Sequence, residues 1–107
     1  MSEMIIMAAT FRAKPECAEE LRGRLVEMVK HSRSESGCLF YDLHVDRSDP
    51  HTFTFLEGWQ NQAALDQHDQ TPHVKAIIAD APRLTVDGIS VKFMERVMLR
   101  SGSEEIN

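Results

Sequence analysis

The chain has 107 residues, of which only two are cysteines, and Cys17 and Cys38 form no C-x-x-C motif. This spacing favours neither a disulfide scaffold nor a cysteine-ligated metal, so we expect reduced thiols in a cytoplasmic protein. No apolar run approaches the roughly 20 residues that cross a bilayer. The amino-terminal residues have no basic stretch before their apolar run, so we expect no secretory signal.

Positive charge is also scarce, because 12 Lys and Arg residues against 17 Asp and Glu residues give a net charge of −5. An acidic, mixed surface argues against nucleic acid or an anionic membrane as the main partner. The sequence has no glycine-rich phosphate loop and no G-x-G-x-x-G, G-x-S-x-G, H-E-x-x-H or H-x-x-E-H motif. We therefore predict a protein without a bound cofactor or metal.

Hydrophobic periodicity predicts four strands and two helical regions. The first strand is apolar on both faces, which is typical of a central strand, and two later strands joined by a short turn should pair as a hairpin. Pro82 should disfavour continuation of the second helical region, and Asp87-Gly88 should turn the chain into the last strand. The predicted elements are strands at 4–13, 38–47, 52–60 and 89–98, a helix at 15–33, and a helix capped by Asn61 that restarts with a new cap at Thr71.

This β-α-β-β-α-β order is that of the split, ferredoxin-like α+β fold, a four-stranded antiparallel sheet with its helices on one face. Helices on one face cannot cover the other, which retains apolar residues, so we expect a homodimer. We assign residues 1–99 to a single domain and the polar residues 100–107 to a flexible tail.

The third strand carries the most informative candidate residue, Glu57. Period-two alternation places this carboxylate on the same face as three aromatic rings. In one interpretation it pairs with Arg12, Lys92 or Arg96 on a neighbouring strand. In the other it is a pocket carboxylate whose pKa is raised by desolvation, so that it serves as an acid or base. The residues on that face are Phe53, Phe55, Glu57 and Trp59.

Two histidines of the second helical region are candidates for a base. His68 follows Leu65 at helical spacing and so points inward, either as a hydrogen-bonded core residue or as a catalyst. His73 lies in the first turn after Pro72 and shares a face with Ile77. A helix N-terminus disfavours the imidazolium, so His73 is either a neutral base or a surface histidine.

The second strand places Tyr41 on its apolar face, where it is either a core ring or a residue that orients a phenolic ligand. His44 lies between Asp42 and Asp46, which indicates a solvated charge cluster. These residues predict an aromatic pocket with inward histidines and name no reaction.

Four segments form a more specific pattern: MIIMAATFRAKP, SGCLFYDL, TFTFLEGW and AALDQH. Within them, Gly37 and Tyr41 form G-x-x-x-Y, Glu57 and Trp59 form E-x-W, and His68 follows nine residues after the tryptophan. Together and in this order they resemble the antibiotic biosynthesis monooxygenase (ABM) family of dimeric α+β barrel proteins, over about residues 4–97.

The resemblance implies a ferredoxin-like homodimer with one cavity per subunit between sheet and helices. By position it implies that Trp59 and His68 line this cavity, that Tyr41 and Glu57 support them, and that His73 is a further candidate. The family includes cofactor-independent monooxygenases of quinols and polyketide phenols, an isomerase-like enzyme of autoinducer-2 breakdown, and haem-degrading enzymes. The haem-degrading members carry an asparagine on the first strand, and the first strand of this chain contains no asparagine.

Combining the residues with the resemblance, we hypothesise that a phenol or quinol stacks on Trp59 and that His68 or His73 removes its proton. The electron-rich ring then reacts directly with molecular oxygen. The predicted substrate contacts are Phe53, Phe55 and Ile77.

Two other functions fit the same residues. A non-catalytic small-molecule-binding or stress-response protein would need the pocket but not the histidines. An isomerase or lyase of a small phosphorylated carbohydrate would need a cation for the phosphate, for which Arg12, Lys14 and Arg83 are the candidates.

Overall fold

The computed structural model describes residues 3–97. Its elements are β1 (Ile5–Ala13), a short 3-10 turn (Pro15–Cys17), α1 (Ala18–Arg33), β2 (Cys38–Val45), β3 (Thr52–Trp59), α2 (Gln62–Asp69), α3 (Pro72–Leu84) and β4 (Thr85–Met94).

The four strands form one antiparallel sheet in the order β2-β3-β1-β4. β1 lies between β3 and β4, as its two apolar faces predict, and β2 and β3 form the predicted hairpin. The predicted α+β, ferredoxin-like fold is confirmed. The tail predicted at residues 100–107 lies outside the described residues.

One hydrophobic core joins the helices to one face of the sheet. Odd-numbered residues of β1 and β3 point into this core because side chains alternate along a strand. From α1, Leu21 and Leu25 enter it one turn apart and are fully buried, as their i, i+4 spacing predicts.

Gly37 brings α2 close to the loop before β2. A Cβ atom at this position would collide with the side chain of Ala64, so only glycine permits this approach. The predicted cap of α2 is confirmed, because the Asn61 side chain accepts a hydrogen bond from the Ala64 backbone N–H at 2.9 Å. These two contacts set the position of α2 and therefore of His68.

Thr71 is the N-cap residue of α3, as predicted, but its side chain makes no capping hydrogen bond. Its Oγ1–H donates to the backbone carbonyl of His68 at 2.6 Å instead of capping α3. This bond ties the start of α3 to the end of α2.

Pro82 is expected to disfavour continuation of the helix, but α3 continues through it to Leu84. Pro82 removes its own N–H hydrogen bond and crowds the carbonyl four residues earlier, but only two residues of α3 follow it. The last turn is held by the fully buried Leu84 and by Thr85, whose N–H and Oγ1–H both donate to the Ala81 carbonyl.

β4 begins directly at Thr85, so Asp87-Gly88 is not a turn before the strand, as predicted, but part of it. The pairing of β1 with β4 shifts between Phe11 and Ala13, and Gly88 lies in this irregular region with a φ of 84°. Such a left-handed conformation favours glycine, so Gly88, which predicted a turn, instead forms part of a β-bulge. In the described part of the chain, no helix is both long and apolar enough to cross a membrane.

Candidate functional site

A cavity of about 210 Å³ lies between the helices and the sheet. Its 14 lining residues come from all four strands and all three α-helices, and most of them are apolar. None of the 14 is lysine or arginine, and the side chains with polar groups are Tyr41, Glu57, His68 and Asp69. Ile78 and Val91, about half exposed, line the cavity where it approaches solvent.

Glu57 is a buried carboxylate in this lining, with only 3% of its surface exposed. The Trp59 Nε1–H donates to Glu57 Oε1 at 3.0 Å. Burial raises the pKa of Glu57 from 4.5 to about 7, although the tryptophan hydrogen bond works in the opposite direction. The interpretation of Glu57 as a strand ion pair is wrong, because Arg12 pairs with Asp87 and no ion pair within residues 3–97 includes Glu57.

Tyr41 and Trp59 pack against His68 inside the core. The ring centroids of Trp59 and His68 are 4.3 Å apart, and those of Tyr41 and His68 are 5.6 Å apart. Burial raises the pKa of Tyr41 well above its usual value, so its hydroxyl stays neutral and can donate a hydrogen bond. These rings fix the plane of the imidazole.

His68 points inward, as its helical spacing predicts, and is 4% exposed. Its Nδ1 lies 2.9 Å from Oε2 of Glu35. With the Glu35 carboxylate as acceptor, Nδ1 carries the proton, and in the neutral ring Nε2 then keeps its lone pair. Within residues 3–97, Nε2 has no hydrogen-bond partner and is not sealed from solvent. A histidine held in this tautomer can accept a proton from a ligand in the cavity.

His73 is a neighbour of His68, with ring centroids 5.8 Å apart, but it does not line the cavity. Its Nε2 is 3.4 Å from Oε2 of Glu35, and its ring stacks on that of His31 with centroids 5.0 Å apart. Desolvation lowers the pKa of His73, while Glu35 acts in the opposite direction. The structure therefore assembles a Glu35–His68–His73 cluster between the cavity and the surface.

The structure brings together five of the eight predicted site residues in the cavity lining: Tyr41, Phe55, Glu57, His68 and Ile77. Three others, Phe53, Trp59 and His73, are not among its lining residues. Trp59 is fully buried and acts on the cavity through its contacts with Glu57 and His68. Direct stacking of a ligand on Phe53 or Trp59 is therefore not supported by the geometry.

Glu35 and Asp69 are site residues that sequence reasoning missed. Glu35 lies in the loop before β2, where no periodicity indicates a direction, and its contact with His68 spans 33 residues. Asp69 follows directly after His68 and could have been found by its place at the end of the same helix.

Comparison with known proteins agrees with the fold. Residues 4–80 match the family model described as antibiotic biosynthesis monooxygenase. The chain is 36% identical over 81 residues to the Bacillus subtilis protein named "Putative monooxygenase YcnE", covering 76% of this chain and 85% of that one. It is 34% identical over 88 residues to an uncharacterized Synechocystis protein, sll1783, covering 82% of this chain but only 60% of that protein's length.

Among solved structures, PA3566 from Pseudomonas aeruginosa is similar along nearly its whole length. The TM-score is 0.84 at 37% sequence identity, covering 92% of this chain and 98% of that chain. Since the family model matches most of the described chain, this protein belongs to the antibiotic biosynthesis monooxygenase family.

Proposed function

We propose that this protein is a cofactor-independent monooxygenase that oxidises a small phenol or quinol with molecular oxygen. Membership of the family and the name of the Bacillus subtilis relative support a monooxygenase. The observation that carries the proposal is the orientation of His68, whose Nδ1 bonds to Glu35 while its ring lines an apolar cavity.

The redox balance of this reaction requires no cofactor. Conversion of a phenol with a free para position to a quinone, or of a quinol to a hydroxyquinone, removes four electrons, and reduction of O2 to the oxidation level of water consumes four. His68 Nε2 takes the phenolic proton, and the phenolate transfers one electron to O2. The resulting radicals combine at the ring carbon to form a peroxide. Its O–O bond then breaks, so that one oxygen atom stays in the quinone and the other leaves as water.

The size and charge of the cavity support a single-ring substrate. A protein cavity of about 150 Å³ holds benzene, so about 210 Å³ suits one substituted ring. A phosphorylated carbohydrate fits less well, because no lining residue is a lysine or arginine. Of the three cations considered for that alternative, Arg12 and Arg83 pair with acidic residues, and Lys14 donates to the Pro82 carbonyl.

Glu57 and Tyr41 would support the reaction from the cavity wall. With a pKa of about 7, Glu57 is partly protonated at neutral pH, which weakens its repulsion of a phenolate. In that form it can also donate a proton to the peroxide. The neutral Tyr41 hydroxyl can hold the phenolate oxygen.

We also propose that the open face of the sheet joins two copies of this chain. Ile6, Leu56 and Met94 lie on this face in adjacent strands, and the last two are 36% and 41% exposed. A Leu56→Glu variant should be monomeric in sedimentation velocity, whereas Val26→Glu on α1 should sediment like the unaltered protein. Equal sedimentation of both variants and the unaltered protein would contradict this assembly.

The experiment that tests the proposed function is oxygen uptake by metal-stripped protein with a panel of single-ring hydroquinones and phenols. His68→Ala should lower turnover about 10²-fold or more, since it removes the base. His44→Ala is the matched control, because this exposed histidine does not line the cavity and its ring bonds to the Thr54 carbonyl. Oxygen uptake no faster than autoxidation without protein would favour a binding protein. Equal rates in His68→Ala and His44→Ala would show that His68 is not the base.

A further inference from the structure

We propose that the Glu35–His68–His73 cluster binds a divalent transition-metal ion such as Zn²⁺. Three potential ligand atoms, one from each residue, lie within 4.8 Å of one another. Two imidazole nitrogens and one carboxylate oxygen form a common set of three protein ligands for zinc, with a fourth position left for water. The cluster is assembled from the loop before β2, the end of α2 and the first turn of α3, so its ligands show no recognisable sequence spacing.

Two of the three distances within the cluster are close to those around a shared ion, and the third, between the two histidines, is at most 4.8 Å. Glu35 Oε2 lies 2.9 Å from His68 Nδ1 and 3.4 Å from His73 Nε2. Zinc–ligand bonds of about 2.0–2.2 Å in a tetrahedron separate neighbouring ligand atoms by about 3.4 Å. The second distance already has this value, and the first needs to widen by roughly 0.5 Å.

His73 lacks a short hydrogen bond that would compete with a metal. Its Nε2 is 3.4 Å from each of three oxygens, those of Ser32, Thr71 and Glu35. This distance exceeds the usual 2.7–3.2 Å range for N–H···O hydrogen bonds. The side chain is only 18% exposed, so a largely buried nitrogen faces three oxygens without a strong bond to any of them.

The local charge also favours a cation. Glu57 and Asp69 both line the cavity with His68, and within residues 3–97 neither carboxylate pairs with a lysine or arginine. Among residues 3–97, no lysine or arginine pairs with Glu35, whose carboxylate instead lies against the two histidines of the cluster. A divalent ion would supply the positive charge that this group of carboxylates lacks.

Metal binding would change the state of His68. An ion on Nδ1 leaves the ring proton on Nε2, which then donates to the cavity and can no longer accept a proton. Bound metal would therefore inhibit turnover. This consequence rests on the proposed function, whereas the metal site itself does not.

Calorimetric titration of metal-stripped protein with Zn²⁺, without substrate, tests the site independently of activity. The unaltered protein should bind one ion per chain. Glu35→Gln, which keeps the side-chain shape, and His73→Ala should each weaken binding about tenfold or more, since even indirect partners of a metal contribute that much. His44→Ala should bind like the unaltered protein. Circular dichroism of each variant verifies that it is folded.

Co²⁺ then reports the ligands. Bound Co²⁺ should give the strong visible absorption of a four- or five-coordinate ion without thiolate charge-transfer bands, because neither Cys17 nor Cys38 belongs to the cluster. Absence of Zn²⁺ binding, equal affinity in Glu35→Gln and the unaltered protein, or thiolate bands would each overturn the proposal. Oxygen uptake that fails while Zn²⁺ still binds would refute the proposed function alone.

Discussion

Replacing Glu57 with glutamine should remove the pH-dependent loss of stability that a buried, ionised carboxylate causes. Burial raises the pKa of Glu57 from 4.5 to about 7 in the folded protein. Well below pH 4.5 the Glu57 side chain is neutral in both the folded and the unfolded chain, so it does not make the free energy of unfolding depend on pH. Between pH 4.5 and 7 only the unfolded chain releases the proton freely, so the free energy of unfolding falls as pH rises and levels off above pH 7.

The magnitude follows from the size of the shift. About 2.5 pKa units at 1.36 kcal/mol each correspond to roughly 3 kcal/mol at pH 8. Glutamine cannot ionise, and its carbonyl oxygen can still accept the hydrogen bond from Trp59. The stability of Glu57→Gln relative to the unaltered protein should therefore rise by about 3 kcal/mol between pH 4.5 and pH 8.

Urea unfolding at a fixed protein concentration, repeated across this pH range, measures the difference. Glu27→Gln is the control, because Glu27 is 59% exposed and pairs with Lys30 on the surface of α1. Its stability relative to the unaltered protein should show no comparable rise. If Glu57→Gln and the unaltered protein keep a constant difference from pH 4.5 to 8, the carboxylate is not desolvated and the argument fails.

Three further predictions concern the neighbours of the site. Gly37→Ala should lower the free energy of unfolding by about 1–3 kcal/mol, because its methyl group collides with α2. Gly23→Ala, in open space within α1, should instead raise the free energy of unfolding by about 0.5–1 kcal/mol, and equal effects of the two variants in urea unfolding would contradict this. Trp59→Phe should raise the pKa of Glu57, because the substitution removes the hydrogen bond that stabilises the ionised carboxylate. The pKa can be measured by NMR of the carboxyl carbon, and a lower value than in the unaltered protein would contradict this prediction. Glu35→Gln should reduce kcat about tenfold or more with little change in KM. The glutamine amide can donate to Nδ1 of His68 and so favour the tautomer with its proton on Nε2, and an unchanged pH–rate profile would exclude this positioning role.

Much of the fold follows from local patterns. Alternation along β3 places Glu57 and Trp59 on one face, and the same alternation makes their hydrogen bond possible. Helical spacing likewise predicts the inward direction of His68. Such patterns determine which face a side chain occupies but not how deep it lies. Trp59 is therefore on the predicted face yet packs behind the cavity rather than lining it.

The departures from prediction arise where tertiary contacts outweigh local preference. Pro82 and Gly88 are strong local signals, but the buried Leu84 holds the last turn of α3, and β4 absorbs the glycine as a bulge. Glu35 lies in a loop with no periodic pattern, and its contact with His68 depends on how closely α2 approaches that loop.

The most direct test of the central claim is isotopic. Metal-stripped protein is supplied with a single-ring phenol under ¹⁸O₂, and the quinone is examined by mass spectrometry. The proposed reaction predicts one ¹⁸O atom per quinone, at a rate that falls about 10²-fold or more in His68→Ala. A quinone without ¹⁸O, or one formed equally fast by His68→Ala, would contradict a monooxygenase in which His68 is the base.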